Sequence, residues 1–396
     1  MGKYERKGSG LVTGLRLTGK LLLAAVTVAA SIVSVKLTAD MLSDMVRHVG
    51  NPPAAQHSAA ADIALMDKLD MFITNEVSDA LEGVLAVDKV YWLSDSDLVA
   101  PEPDQAKFGQ TDDPSTLQWL LDDAAKLLDG QTTYFSTDTK LYEGSVVNYY
   151  LDDTIFAVTW KEVLGYSVYT FSEVKIAHPS QFRRFLAGGE YGSEKQFITT
   201  EMAASVNAVV ASSGDFYRFR NHGTSVYEGK VHRVHGERAD TCYIDENGDL
   251  SFTYAGEMLT MEDAQKYVDE NNIRFSLAFG PVLVDNYTRC EPSFYSVGEI
   301  DEEYARAAIC QMDKLHYLMV TANTQGIYQT VPSIHTFAKW IANTGCKMAY
   351  ALDGGQTAAI AMNDELINRV VYGYQRKISD IIYFATAIPD GGEKDG

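Results

Sequence analysis

The sequence predicts an α+β fold centred on β-sheet, and three observations carry that prediction. The 396 residues are 46% hydrophobic and 11% aromatic, enough to bury one large core or two medium ones. From about residue 145 the texture becomes short runs rich in Val, Tyr, Phe, Ile and Thr, parted by Asp, Gly and Pro, which read as strands. Between these runs lie stretches of helical period with capping residues at their ends. With 54 acidic against 33 basic residues the formal charge is -21, so the chain lacks the basic footprint of a protein that grips nucleic acid through its phosphates. No fixed-period repeat is visible, which excludes a solenoid.

Taken in order, residues 1–20 carry Lys3, Arg6, Lys7, Arg16 and Lys20 against the single acid Glu5. Next comes "LLLAAVTVAASIVSVKL", residues 21–37, near the lower limit of about 17 residues for a membrane span. Lys36 snorkels to the far interface and the basic flank stays in the cytoplasm. Residues 21–39 are therefore expected to be an uncleaved single-pass anchor, with the remainder outside. A cleaved signal peptide and a buried core helix are the rival readings.

Residues 40–144 are expected to be a linker and a partly helical membrane-proximal region. "NPPAAQHSAAA" at 51–61 is a linker that its prolines keep from helix. Met66, Leu69, Ile73, Val77, Leu81 and Val84 then recur at steps of three and four, an amphipathic helix. Asp113-Pro114 opens a second helix that Gly130 closes.

The sheet-centred domain is expected over residues 145–390, followed by a disordered tail at 391–396. "VVNYYL", "TIFAVTW" and "SVYTFSEVKIA" are strands, and a helix at 199–206 precedes the strand "AVVAS". Farther on, "YARAAICQM" and "LHYLMVTAN" are strands, "PSIHTFAKWIANTG" is a helix opened by Pro332, and "CKMAYAL" is a strand. "TAAIAM" and "LINRVV" form a hairpin across "NDE". Cys242, Cys290, Cys310 and Cys346 show no metal-knuckle spacing; disulfides and isolated thiols both stay open.

The tripeptide Asp353-Gly354-Gly355 interrupts apolar sequence. Two glycines let backbone amides approach a ligand closely, and the acid before them aims into the same space; a tight turn with a solvated acid is the plain alternative. Ser213-Gly214-Asp215 repeats the pattern at the end of another strand. Two strand ends that each deliver a carboxylate suit acid–base cleavage of an acetal bond, or a divalent cation such as calcium, the one cofactor these acids allow. His178, before Pro179, is a candidate proton-transfer or substrate-contacting group, or simply an edge-strand histidine. His232 and His235 fall on opposite faces of a strand and are not ligands. Tyr217, Arg218 and Arg220 follow the first loop and line its cleft or an exposed hairpin.

The segments "NAVVASSGDFYRFRNHGTSVYEGKVHR", "SLAFGPVLVDN", "YARAAICQM" and "AYALDGGQTAAIAMNDELIN" occur in an order that resembles the phosphodiester glycosidase family, over about residues 167–388. That family removes a sugar, typically N-acetylglucosamine, joined through its anomeric carbon to a phosphodiester. The resemblance implies that Gly354, Gly355, Gln356 and Thr357 face sugar or phosphate beside Asp353. Ser213 and Gly214 would form the opposite wall with Asp215, and Arg306 would grip the phosphodiester between the two acids. Cys310 stands where the family commonly has glycine. Asn323 and Thr324 stand where it has an acid-Gly-Arg group, so Asn323 becomes a candidate substrate contact. The implied function is hydrolysis of a sugar-1-phosphodiester in an envelope polymer or glycan by a membrane-anchored, extracytoplasmic glycosidase. The alternative is a non-catalytic surface module that binds phosphorylated glycan in the same cleft.

Overall fold

The computed structural model describes residues 99–292, 302–323 and 330–387. The expected anchor at 21–39, the linker at 51–61, the helix around Met66 to Val84 and the tail at 391–396 lie outside the described residues. The chain divides into two units, Met1–Val77 and Ser78–Gly396, and every described residue belongs to the second. Among the described residues no helix is long and apolar enough to cross a membrane.

The largest element is a nine-stranded antiparallel sheet. Its spatial order is Phe108–Thr111, Val147–Leu151, Ile155–Leu164, Ser167–Ile176, His316–Asn323, Arg306–Asp313, Met348–Leu352, Val282–Asp285 and Thr288–Arg289. The central strands are covered on both faces, which is why they read as continuous apolar runs rather than as alternation. Within Ile155–Leu164, Ile155 and Ala157 enter one core while Phe156, Val158 and Trp160 enter the other. The expected domain boundary at 145 falls inside this sheet, because Phe108–Thr111 pairs antiparallel with Val147–Leu151.

Two helices cover one face. Helix Gln118–Leu128 buries Leu120, Ala124 and Leu128 at four-residue spacing. Asp113 caps the turn before it by accepting from the Ser115 amide at 3.1 Å, and Asp129 and Gly130 end it with φ of 47° and 79°. Helix Ile334–Ala342 buries Ile334, Phe337, Ala338 and Ile341 against the same core; Ser333, not Pro332, is its cap.

The other face packs on a five-stranded antiparallel sheet. Its order is Glu365–Leu366, Ile360–Met362, Val210–Ser213, Asp380–Phe384 and Phe182–Leu186. Val210, Ile360, Ile382 and Phe384 join Ile309, Tyr350 and Leu352 of the large sheet in the central core. Helix Thr199–Ser205 closes the outer face of the smaller sheet.

A third sheet of Leu250–Thr253, Thr241–Asp245 and Ile273–Leu277 carries the hairpin Gly223–Tyr227 and Lys230–His235, and helix Met261–Glu270 covers it. That helix has only Ala264 and Val268 buried, so its apolar stripe is too thin to read from sequence, although Thr260 caps it through the Asp263 amide at 3.1 Å. The four cysteines are free thiols, with Cys310 and Cys346 in hydrogen-bond reach of each other.

Under the helical layer Glu173 is fully buried. Its carboxylate accepts from the Tyr134 and Phe135 amides at 2.7 Å each and pairs with His316 Nε2 at 2.7 Å. Glu173→Ala leaves three buried donors unmet and is expected to cost about 3–5 kcal/mol, read as a lowered urea midpoint with an unchanged m-value.

Candidate functional site

The Asp-Gly-Gly segment is where the chain leaves one sheet for the other. Strand Met348–Leu352 belongs to the nine-stranded sheet, and strand Ile360–Met362 belongs to the five-stranded one. The short 3-10 turn Gly355–Thr357 makes the transfer. A Cβ on Gly354 would meet the Ala305 carbonyl oxygen at 2.5 Å, and Gly355 has φ of 63°, so both positions require glycine. The Asp353 amide donates to the Gly214 carbonyl at 3.1 Å, and the Gly355 amide donates to the Ala305 carbonyl at 2.7 Å. The tips of Val210–Ser213 and Met348–Leu352 thus meet, as the paired motifs predict.

Beneath that junction a guanidinium is buried between two carboxylates. Arg184 Nη2 lies 2.6 Å from Asp215 Oδ1 and 2.9 Å from Asp380 Oδ2, with all three side chains at most 1% exposed. Its Nε donates to Asp380 at 3.0 Å and its Nη1 to the Ser276 carbonyl. Asp215 also accepts from the Tyr217 amide at 3.0 Å and from the Ala278 amide at 2.7 Å. Asp380 accepts from the Asp215 amide at 3.2 Å. Burial pushes the Asp380 carboxyl above its ordinary range, and Arg184 opposes that shift. A Cβ on Gly214 would lie 1.9 Å from Asp380 Oδ2, so only glycine fits above the pair.

Asp353 differs from these acids because it keeps some solvent contact. Desolvation by the surrounding protein pushes its carboxyl up to about 6; the Thr357 hydroxyl, Arg376, Arg220 and the Gly354 amide pull the other way. Arg220 and Arg376 stand 5.9 and 6.0 Å from the ring of Phe216, which itself has φ of 63°. Buried hydrogen-bonding capacity is left unmet nearby at Ser213 Oγ, Arg376 Nη2 and Asn323 Nδ2. Asn323 reaches the crossover through Asn368, whose amide donates to Asn323 Oδ1 at 3.0 Å and to the Ala358 carbonyl at 2.7 Å. Orphaned buried polar atoms are uncommon, and their gathering around one carboxyl marks a place prepared for a ligand.

The expected residues separate into two groups. Asp353, Gly354, Gly355, Gln356, Thr357, Ser213, Gly214 and Asn323 surround the crossover. Thr357 donates to the Gly354 carbonyl at 2.7 Å, and Gln356 donates to the Tyr374 carbonyl at 3.3 Å. Asp215 is adjacent in the chain but is 0% exposed, and its bonds run to Arg184, Tyr217 and Ala278. It is therefore placed to hold the loop. Arg306 does not lie between the two acids. Its guanidinium donates to the Glu302 carbonyl at 2.7 Å and the Pro332 carbonyl at 3.3 Å and lies 5.3 Å from the Tyr304 ring. A different arginine, Arg184, pairs with Asp215, and its second carboxylate is Asp380 rather than Asp353. His178 caps the turn Pro179–Gln181, its Nδ1 bonded to Ser180, away from the residues around Asp353.

Asp380, Arg184 and Arg376 were not found by sequence reasoning. "FRRF" held a signal, since a charged residue inside a buried strand demands a partner. A divalent ion at Asp215 would compete with Arg184 and the Tyr217 and Ala278 amides, which already bond that carboxylate. Among the described residues no group of three or more His, Cys, Asp or Glu side chains is arranged to hold a metal.

Two outcomes follow from this geometry. Arg184→Met leaves two carboxylates buried without their cation and is expected to cost at least about 3 kcal/mol, measured by urea unfolding. For Asp353 the folded carboxyl titrates near 6 against 3.8 for the ordinary group. Its contribution to stability is fully present below pH 3.8 and is lost as pH rises through about 6. Asp353→Asn should therefore gain thermal stability relative to the unsubstituted chain as pH rises across that window, with a constant difference above it.

Residues 206–385 match the phosphodiester glycosidase family. No curated protein matches the chain. Among solved structures, the zebrafish N-acetylglucosamine-1-phosphodiester alpha-N-acetylglucosaminidase catalytic domain, auto-inhibited by its pro-peptide, aligns at 16% identity over 66% of this chain and 92% of that one, with a TM-score of 0.47. A Synechocystis protein of hypothetical status aligns at 13% identity over 63% of this chain and 64% of that one, also at 0.47. From the family match, the chain carries a phosphodiester glycosidase domain over residues 206–385.

Proposed function

We propose that this domain hydrolyses the bond between the anomeric carbon of an N-acetylglucosamine-type sugar and a phosphodiester, with Asp353 as the proton-transfer group. The observation that carries this reading is the desolvated carboxyl of a half-buried residue, raised to about 6, at a sheet junction with two guanidiniums acting on it. Cleavage at the anomeric carbon breaks the bond from that carbon to the phosphate oxygen. The bonding electrons stay on that oxygen, so a singly charged diester becomes a doubly charged monoester. Water adds to the anomeric carbon and its proton passes to the Asp353 carboxylate.

Such a leaving group is weakly basic, so it departs without a proton donor, and one ionised carboxylate suffices. The cost lies in the charge that grows on phosphate. Arg220 and Arg376 are the groups proposed to stabilise it. Ser213, Gln356, Thr357 and Asn323 are proposed to orient the sugar and phosphate. Asp215 and Arg184 act through the loop as positioning residues. We further propose that the apolar stretch at 21–39, with its basic flank, anchors the chain in a membrane and holds the domain outside, facing an envelope polymer or glycan.

The test is release of free sugar from a synthetic N-acetylglucosamine 1-phosphodiester by the purified full chain. The rate should rise with pH through an apparent pKa near 6, because Asp353 acts ionised. Asp353→Asn should lower kcat at least about 100-fold while the protein stays folded. Arg376→Met should lower kcat about 10- to 100-fold. Tight binding of the diester without sugar release would replace the enzyme by the non-catalytic glycan-binding module.

A further inference from the structure

A hollow of about 400 Å³ has Arg184 in its lining, and none of Asp353, Arg220 and Arg376 lines it. Two end strands form it: Phe182–Leu186 ends the five-stranded sheet, and Ile273–Leu277 ends the three-stranded one with the hairpin Gly223–Tyr227 along its edge. Arginines stitch this seam. Arg274 donates to the Pro179 and Phe182 carbonyls at 2.9 Å each, and Arg183 Nε donates to the Ser180 carbonyl at 2.7 Å. Arg184 closes the floor through the Ser276 carbonyl.

The stitching uses only part of what the guanidiniums offer, since each carries five N–H donors. Among the described residues neither Arg183 nor Arg274 has an ion-pair partner, although the chain as a whole carries 54 acids against 33 bases. Burial, and then the nearby Arg183 charge, lower the Arg274 pKa, with Tyr317 and Asp245 weaker opposing influences. Glu228, exposed at the hairpin tip, is the one acid in the lining. The walls are otherwise Tyr227, Tyr383, Ile273 and Phe275, with Ser180 at the edge. Like charges brought together in a part-buried hollow whose one carboxylate, Glu228, is exposed at the hairpin tip are a site for an anion with several acceptor oxygens.

We propose that this hollow binds a phosphate group, held in the fork of Arg183 and Arg274 with a tyrosine-walled space beside it for the body of a small phosphomonoester. The site is independent of the reading given to Asp353. It touches that loop only through Arg184, which lines the hollow on one side and grips Asp215 on the other.

The probe is inorganic phosphate, titrated calorimetrically into the full chain at ionic strength held constant with chloride. Arg183→Met is the informative variant because it removes the charge, keeps the aliphatic stem and gives up only the bonds to the Ser180 carbonyl and the Tyr383 hydroxyl. Phosphate affinity should fall at least about tenfold in Arg183→Met, fall less in Arg183→Lys, and stay unchanged in Arg376→Met. Unchanged affinity in a folded Arg183→Met, loss of all binding in Arg376→Met alone, or no binding by the unsubstituted chain up to about 10 mM phosphate would each overturn the proposal.

Discussion

The site depends on one buried cation. Arg184 comes from an edge strand of the smaller sheet and holds Asp215 on the loop after Val210–Ser213 and Asp380 at the start of Asp380–Phe384. Two carboxylates cannot share a dry space without it, and a lone guanidinium there would be as costly. Together they fix the Gly214 carbonyl, and that carbonyl receives the Asp353 amide from the other sheet. The position of the Asp353 residue is thus set by electrostatics one layer below it, in a place water does not reach.

The same arrangement divides labour between acids that look alike in sequence. Asp215 and Asp353 each end a strand beside glycine, yet one is saturated by a guanidinium and two amides and the other keeps solvent contact. Saturation fixes a carboxylate as a structural anion; partial desolvation with only distant cations leaves a group that can take up and release a proton. A leaving phosphate of low basicity is matched to a site with one such group rather than a pair. The orphaned polar atoms of Ser213, Arg376 and Asn323 fit a substrate that brings its own hydrogen-bond partners.

Much of this was legible in the sequence, and the limits are physical. Strands buried on both faces announce themselves by composition, so Ile155–Leu164, Ser167–Ile176 and Arg306–Asp313 were readable, as were helices Gln118–Leu128 and Ile334–Ala342, although Ser333 rather than Pro332 caps the second. Helix Met261–Glu270 was not, because two buried residues in ten leave almost no stripe. The Asp-Gly-Gly turn stood out as a place of close backbone approach, but that it carries the chain between two sheets depends on strand order, which periodicity does not encode. Arg306 and Arg184 were indistinguishable as isolated arginines in apolar surroundings. Which of them meets a carboxylate is decided by register: Arg184 lies opposite Ile382, two residues from Asp380, while Arg306 lies opposite Ala322.

The central claim is that Asp353, not Asp215, faces the reacting bond, with phosphate held by Arg220 and Arg376. The direct measurement is a crystal structure of Asp353→Asn with an uncleaved N-acetylglucosamine 1-phosphodiester bound. The account predicts the anomeric carbon within water-bridging reach of the residue-353 amide, about 3–3.5 Å from an ordered water, with the phosphate against Arg220 and Arg376. A diester whose anomeric carbon lies remote from residue 353, or whose phosphate sits elsewhere while that junction stays empty, would contradict it.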